Sequence, residues 1–296
     1  MKTSKKNPTK SKSIKTVVVV YRPDSPIASK SAGELSVWLK KRELAVFSHP
    51  AQKISDDVKK LAPSQVSKVD LVIVLGGDGT YIQAVHLLNG HRAPILGVNM
   101  GSLGFLTEVR SEDLYQAVSM TLDGKMEMRP RAMLDVKIKR HGKIIQQNFA
   151  LNDAVIERGP FSQLISITMY SEDQMVGEVK ADGLVIATPT GSTAYNLAAG
   201  GPILHPHVHS LVVTPICPHS LTHRPIIFPD QQTLTFKLLN KKQRAFLHVD
   251  GKTGGELHAG DEILISRSAN DHYVLRRPGH NYFALLREKL KFGERS

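Results

Sequence analysis

Apolar residues along this chain fall into two rhythms, and the rhythm changes near Arg129. Before that point β-branched runs alternate with stretches of helical spacing. Residues 14–21, 45–48, 69–75 and 94–99 read as strands. Residues 31–44, which carry the lone Trp38, read as a helix, as do 80–88 and 111–122. Ser111 is placed to cap the last of these, Glu112 and Asp113 suit its first turn, and Asp123-Gly124 ends it. The run 69–75 is apolar except for Asp70, as expected of a strand buried on both faces of a parallel sheet. Strands alternating with helices predict such a sheet with helices on its faces.

After Arg129 the period becomes two. Leu134, Val136 and Ile138 alternate with polar residues, His141-Gly142 marks a turn, and the alternation resumes at Ile144. Short strand candidates follow at 164–170, 184–187, 211–215, 233–239, 245–249, 262–265 and 273–276, most separated by turn signals. That pattern predicts an all-β region, a sandwich or stacked sheets. Residues 282–290 read as a final helix. The expected organisation is a disordered basic tail over 1–15, an α/β domain over 16–128 and a β-rich domain over 129–278. A helix and tail over 279–296 would pack back on the α/β domain. No Pro- or Ser-rich linker separates the parts, which are expected to pack closely.

Composition narrows the class. The 296 residues are 41% hydrophobic and 22% charged, enough for a sizeable core. No apolar run approaches the roughly 20 residues that span a bilayer. The basic start precedes only a four-residue apolar run, 17–20, without a cleavage site, so it does not read as a secretory signal. A single cysteine, Cys217, excludes an internal disulfide and suits a reducing cytoplasm. The net charge of +12 invites a nucleic-acid partner, but six lysines (Lys2, Lys5, Lys6, Lys10, Lys12, Lys15) lie in the first 15 residues. Removing them leaves +6, which suits an enzyme of polyanionic small molecules. No RNP, zinc-finger or helix-turn-helix signature is present, and neither a nucleic acid nor a membrane is expected as a partner.

Three segments carry candidate chemistry. In the first, Gly76-Gly77-Asp78-Gly79-Thr80 follows the buried run. Glycines there let backbone N–H groups approach a ligand, and concave amide arrays bind phosphates. Asp78 would repel a phosphate, so it either caps the following helix or has chemical work, holding a metal or taking a proton from a hydroxyl. In the second, Asn152-Asp153 could bond to a ribose edge or an adenine amino group, or serve an ordinary turn. In the third, Lys180-Ala181-Asp182-Gly183 leads to Thr188-Pro189-Thr190-Gly191-Ser192-Thr193-Ala194-Tyr195-Asn196. Its hydroxyls outnumber what a turn needs, and a small-residue helix over 193–199 would admit a bulky ligand. Tyr195 is placed to stack on a base.

Other signals are weaker. His205, His207 and His209 read as surface or core histidines, since Pro206 breaks the strand that would align them. Gly251-Lys252-Thr253 resembles the end of a Walker A loop, but Phe246 stands where its first glycine belongs. Gly77-x-Gly79 lacks the third glycine of a dinucleotide fingerprint, Ile82 standing in its place.

Taken together, the motifs resemble the NAD kinase family from about Val17 onward. They are residues 76–80, Asn99-x-Gly101-x-Leu103-Gly104-Phe105-Leu106-Thr107, Leu151-Asn152-Asp153, Asp182-Gly183 with 188–195, and Pro218-His219-Ser220-Leu221 with Arg224-Pro225. The resemblance implies transfer of a phosphoryl group from Mg-ATP, or ATP with another divalent cation, to the 2′-hydroxyl of the adenosine ribose of NAD. It also implies a doubly wound α/β N-terminal domain, a sandwich-like all-β C-terminal domain, and a site between them in a homo-oligomer, dimer or tetramer. By that likeness Asp78 is the general base, and Gly76, Gly77, Gly79 and Thr80 receive the donor phosphates. Mg²⁺ would ride mainly on the nucleotide phosphates near Asp78. NAD would be bound by Asp78, Gly79, Asn152, Asp153, Lys180, Asp182, Thr190, Thr193, Ala194, Tyr195, Asn196 and Ala198. Lys252 stands where bacterial members often carry a glutamine, and its ligand contact is the weakest of the set. The alternatives are a lipid kinase of the diacylglycerol or sphingosine kinase type, whose glycine turn is similar, and a non-catalytic NAD-binding regulator.

Overall fold

The computed structural model describes residues 13–160, 163–239 and 244–291. Within these the chain forms two compact units, one built from residues up to Arg129 together with those from Tyr273 onward, the other from Pro130–His272.

The first unit is organised on a sheet whose central strands run parallel. In spatial order its strands are Lys59–Lys60, Ala45–Ser48, Thr16–Tyr21, Leu71–Leu75, Ile95–Asn99, His272–Arg276 and Glu127–Arg131, with Val109–Arg110 also paired to Ile95–Asn99. Leu71–Leu75 and Ile95–Asn99 are buried at every position, which is why they read as unbroken apolar runs. The helix Pro26–Lys40 begins five residues before the expected start. Ser25 Oγ accepts from the Ala28 amide at 3.3 Å, and Pro26, lacking an N–H, costs nothing in the first turn. Its Ala28, Ala32, Leu35 and Leu39 lie at helical spacing in the core.

Three expectations change here. The helix after the glycine turn spans Asp78–Leu88, so Asp78 and Gly79 belong to its first turn. Residues Ser111–Asp113 form a 3₁₀ turn before the α-helix Leu114–Leu122, and Ser111 makes no capping bond. The strand at 273–276, expected in the β-rich region, pairs in parallel with Ile95–Asn99 instead. The chain thus returns to the first unit with that strand and the helix Tyr282–Leu290, whose amides at Phe283 and Ala284 donate to Asn281 Oδ1. The basic segment 1–12 and residues 292–296 lie outside the described residues.

The second unit consists of two six-stranded antiparallel sheets. One has the order Ile226–Pro229, Ser210–Ile216, Gly183–Ala187, Asp153–Glu157, Ala245–Val249, Lys252–Leu257. The other runs Gln174–Ala181, Ile165–Ser171, Leu234–Leu238, Glu262–Arg267, Leu134–Arg140, Lys143–Ala150. Alternating residues of both sheets, among them Leu134, Ile138, Ile156, Ile186, Phe236 and Leu247, form one core. This is the anticipated sandwich-like domain. Strands at 153–157, 174–181, 226–229 and 252–257 were not expected. The strand Gln174–Ala181 carries mostly exposed side chains at a sheet edge, and Lys252–Leu257 contains two glycines, so neither presents an apolar pattern. Among the described residues no helix is long and apolar enough to cross a membrane.

Candidate active site

In the first unit the strand Leu71–Leu75 delivers the chain to Gly76, whose amide donates to the Val98 carbonyl at 2.9 Å. A Cβ at Gly76 would lie 2.5 Å from Thr80 Oγ1, so packing demands glycine there. At Gly77 and Gly79 a Cβ would meet nothing within 4 Å. Those two glycines leave open approach to the amides at the start of the helix, of which Thr80 N–H already donates to the Gly77 carbonyl at 3.0 Å. Gly77 is the N-cap residue, so Asp78 is not the cap.

The Asp78 carboxylate turns away to the segment 99–107. Its Oδ2 accepts from the Phe105 amide at 2.8 Å. Its Oδ1 accepts from the Leu106 amide at 3.0 Å and from the Thr107 amide and hydroxyl at 3.1 Å each. The Thr107 hydroxyl in turn accepts from Asn99 Nδ2 at 3.1 Å, while Asn99 Oδ1 takes the Gly101 amide at 2.7 Å. A Cβ at Gly104 would overlap Asp78 Oδ1 and stand 2.5 Å from Thr107 Oγ1. Gly104 is therefore what lets the carboxylate seat. The negative charge that seemed misplaced in a phosphate loop is held by three amides of a different loop. A carboxylate has about four lone-pair positions, two on each oxygen; Oδ1 is filled and Oδ2 keeps one. Asp78 is half-buried, so that position can receive a hydroxyl proton.

In the second unit a cavity of about 350 Å³ is lined by Asn152, Asp153, Glu157, Tyr195, His248 and Asp250, with Val155, Ala194 and Gly251. Its floor is organised by Asp250, which the sequence reading passed over. Asp250 Oδ2 accepts from the Leu151 amide at 2.7 Å, and Oδ1 from the Asn152 and Asp153 amides at 2.7 and 3.0 Å. Its own amide donates to the Asp153 carbonyl at 2.9 Å. Desolvation pushes Asp250 up to about 6, although the three amides favour its ionised form. Desolvation, then the Asp250 charge, pushes Asp153 up to about 7. His248 Nε2 lies 3.1 Å from Glu157 Oε1 on the same cavity.

Not every residue singled out from the sequence faces this cavity. Asn152, Asp153, Ala194 and Tyr195 do. The hydroxyls of Thr188 and Ser192 are buried within the turn, bonding to the Leu151 carbonyl at 2.6 Å and the Pro189 carbonyl at 2.7 Å. Thr193 Oγ1 bonds to the Thr190 carbonyl. The abundance of hydroxyls is thus largely turn chemistry, contrary to expectation. The small-residue helix is reduced to a 3₁₀ turn at Gly191–Thr193 and four residues, Tyr195–Ala198. Asn196 is fully buried, donating to the Ser192 and Pro202 carbonyls and accepting from Thr214. Asp182 is paired with Arg158 at 2.6 Å, and Ala198, Lys180 and Lys252 are exposed. His209 contacts Asp230, and residues 201–209 are not a strand, as Pro206 implies.

Comparison with known proteins accounts for both units. The family model of the ATP-NAD kinase N-terminal domain matches residues 17–126, and that of the ATP-NAD kinase C-terminal domain matches 151–277. The NAD kinase of Bdellovibrio bacteriovorus is 51% identical over 282 residues, covering 95% of this chain and 93% of that protein. The NAD kinase of Geobacter metallireducens is 40% identical over 95% of this chain and all of its own length. Among solved structures, yeast NADH kinase complexed with NADH superposes with a TM-score of 0.88 at 26% identity, covering 97% of this chain and 90% of that one. An NAD kinase from Archaeoglobus fulgidus in complex with ATP shares the fold, with a TM-score of 0.73 at 21% identity and coverage of 93% and 98%. With both domains matched in order and relatives aligned almost end to end, the chain belongs to the ATP-NAD kinase family.

Proposed function

We propose that Asp78 is the general base for phosphorylation of the 2′-hydroxyl of the adenosine ribose of NAD. As a member of its family the chain phosphorylates NAD at the expense of ATP; the assignment of roles to residues is our reading. The observation that carries it is the single open acceptor position on Asp78 Oδ2, beside a helix N-terminus kept clear by Gly77 and Gly79. A ribose hydroxyl is a poor nucleophile near neutral pH. Asp78 Oδ2 accepts its proton as the oxygen–phosphorus bond forms, the bond from the γ-phosphorus to the β,γ-bridging oxygen breaks, and ADP leaves. The amides of Gly77, Asp78 and Gly79 receive donor phosphates, because the Gly76 amide is given to the Val98 carbonyl and the Thr80 amide to the Gly77 carbonyl.

Mg²⁺ fits here as a cation carried by the nucleotide. Oδ1 of Asp78 is saturated and the open position of Oδ2 is allotted to the hydroxyl, so phosphates supply the ligands. When bound, it neutralises charge on the phosphate oxygens. The cavity at Asn152, Asp153 and Tyr195 takes the adenosine of NAD, with Tyr195 against the base and the Asn152-Asp153 pair on polar edges. Asp182, Lys180, Thr190, Thr193, Ala198 and Lys252 do not line that cavity, and their contacts with NAD belong to our reading, while Asn196 is buried in the turn beside it. A homo-oligomer and a cytoplasmic setting complete the reading.

The test is Asp78→Asn. NADP formation from Mg-ATP and NAD should slow by on the order of 10²–10⁴, the usual worth of a general base, with NAD binding retained. Turnover within a factor of two of wild type would remove Asp78 from this role.

A further inference from the structure

Resting on Asp78 as the base, we propose that Arg276 is a positioning residue that sets the catalytic aspartate through two intervening peptide groups. Arg276 is buried in the last strand of the parallel sheet, far along the chain from the glycine turn. Its guanidinium donates to the Phe105 carbonyl at 2.6 Å and to the Leu106 carbonyl at 3.3 Å. The Phe105 carbonyl and the Leu106 amide belong to one peptide group, and that amide donates to Asp78 Oδ1. The Leu106 carbonyl and the Thr107 amide form the next, and that amide also donates to Asp78 Oδ1. Two peptide dipoles therefore lie head to tail between a buried cation and the base. Hydrogen bonds in such chains polarise and strengthen one another.

The guanidinium is held by an ion pair as well. Glu108 Oε1 lies 2.9 Å from its Nη1, and Glu108 Oε2 lies 2.9 Å from His280 Nδ1. Lys289, in the last helix, donates to the Leu103 carbonyl of the same loop. The C-terminal segment thus grips carbonyls of the 103–106 stretch, while Asp78 takes the amides at 105–107. Seating Oδ1 with three donors leaves Oδ2 as the reactive oxygen. Loss of the grip frees the two peptide groups to rotate, and the carboxylate loses its fixed aim.

The test is a double-mutant cycle on the full-length protein with R276Q and D78N. R276Q alone should lower kcat by on the order of 10–10²-fold, the scale seen when a group orienting a reacting residue is removed, with KM for NAD changed less than threefold. R276K, whose ammonium still donates to carbonyls, should recover most of the loss. In the D78N background R276Q should lower kcat no further than about twofold, since there is no base left to aim. If R276Q folds poorly, as read by thermal unfolding, R276K takes its place in the cycle, and its smaller loss should likewise vanish beside D78N. A loss that multiplies fully with D78N, or one that falls on KM alone, would overturn the inference while leaving Asp78 as the base. An active D78N enzyme would sink the base assignment itself.

Discussion

Gly104→Ala is a severe small change at the seat of Asp78. A single added methyl would overlap Asp78 Oδ1 and come within 2.5 Å of Thr107 Oγ1 and 2.7 Å of Asp78 Cγ. The carboxylate is the end of a side chain and can move, but only by leaving its donors. Leu106 and Thr107 are buried, so their two amides would then lack partners. At about 1–3 kcal/mol for each buried unsatisfied amide, the loss is about 2–6 kcal/mol. The lower half of that range is the better expectation, because Asp78 is half-buried and water can replace part of what it gave. For a unit of this size, each kcal/mol lowers Tm by about 2–4 °C, so a loss of about 2–4 kcal/mol predicts a fall of roughly 4–16 °C.

Activity should fall further than stability, since the displaced group is the proposed base: a decrease in kcat on the order of 10²–10⁴. Two assays decide it, initial rates of NADP formation and thermal unfolding of the same preparation. Gly101→Ala is the control, since a Cβ there meets nothing within 4 Å although it lies in the same loop. It should keep Tm within about 2 °C, as surface changes usually do. A Gly104→Ala protein with normal kcat and normal Tm would refute the seating of Asp78 described above, and equal damage from both substitutions would refute its specificity.

Two more expectations follow from the second unit. Asp153 is raised from 3.8 to about 7, so between those values the folded state holds a proton that the unfolded state releases. Stability therefore falls as pH rises across that window, is flat above it, and should gain about 2 kcal/mol from this group between about pH 7 and pH 5.5. Asp153→Asn should remove that slope in denaturant titrations; parallel wild-type and variant profiles would sink the argument. Asn196→Ala should act on stability rather than on NAD affinity. It leaves the Thr214 hydroxyl and two carbonyls short of partners, about 2–4 kcal/mol, and a calorimetric NAD titration showing a large affinity loss in a fully stable variant would contradict this.

What the sequence made legible was whatever the fold repeats. Leu71–Leu75 is an apolar run because both its faces are covered, and the alternation at Leu134, Val136 and Ile138 exists because one face is. Such patterns come from burial, which acts on every residue of an element. Single polar residues are set by pairwise geometry instead, and there the reading was partial. Asp250 looks like the first half of an ordinary Asp-Gly turn, yet it holds three amides at 151–153 from about 100 positions away. Nothing in Arg276-Arg277 tells which arginine is buried, because only the parallel pairing of that strand decides it.

The hydroxyls at 188–193 show the converse error. Polar density resembles a binding site, but Thr188 and Ser192 satisfy the carbonyls of their own buried turn. A motif supplies residue types; which lone pairs and protons remain after the fold has used its share decides what can meet a ligand. At Asp78 that accounting separates two oxygens of one side chain. Oδ1, with three donors, belongs to the structure, and Oδ2, with one, keeps the position that the proposed reaction needs. No reading of residues 76–80 alone could have made that division, because every donor comes from 105–107, where the carbonyls of Phe105 and Leu106 are held by Arg276.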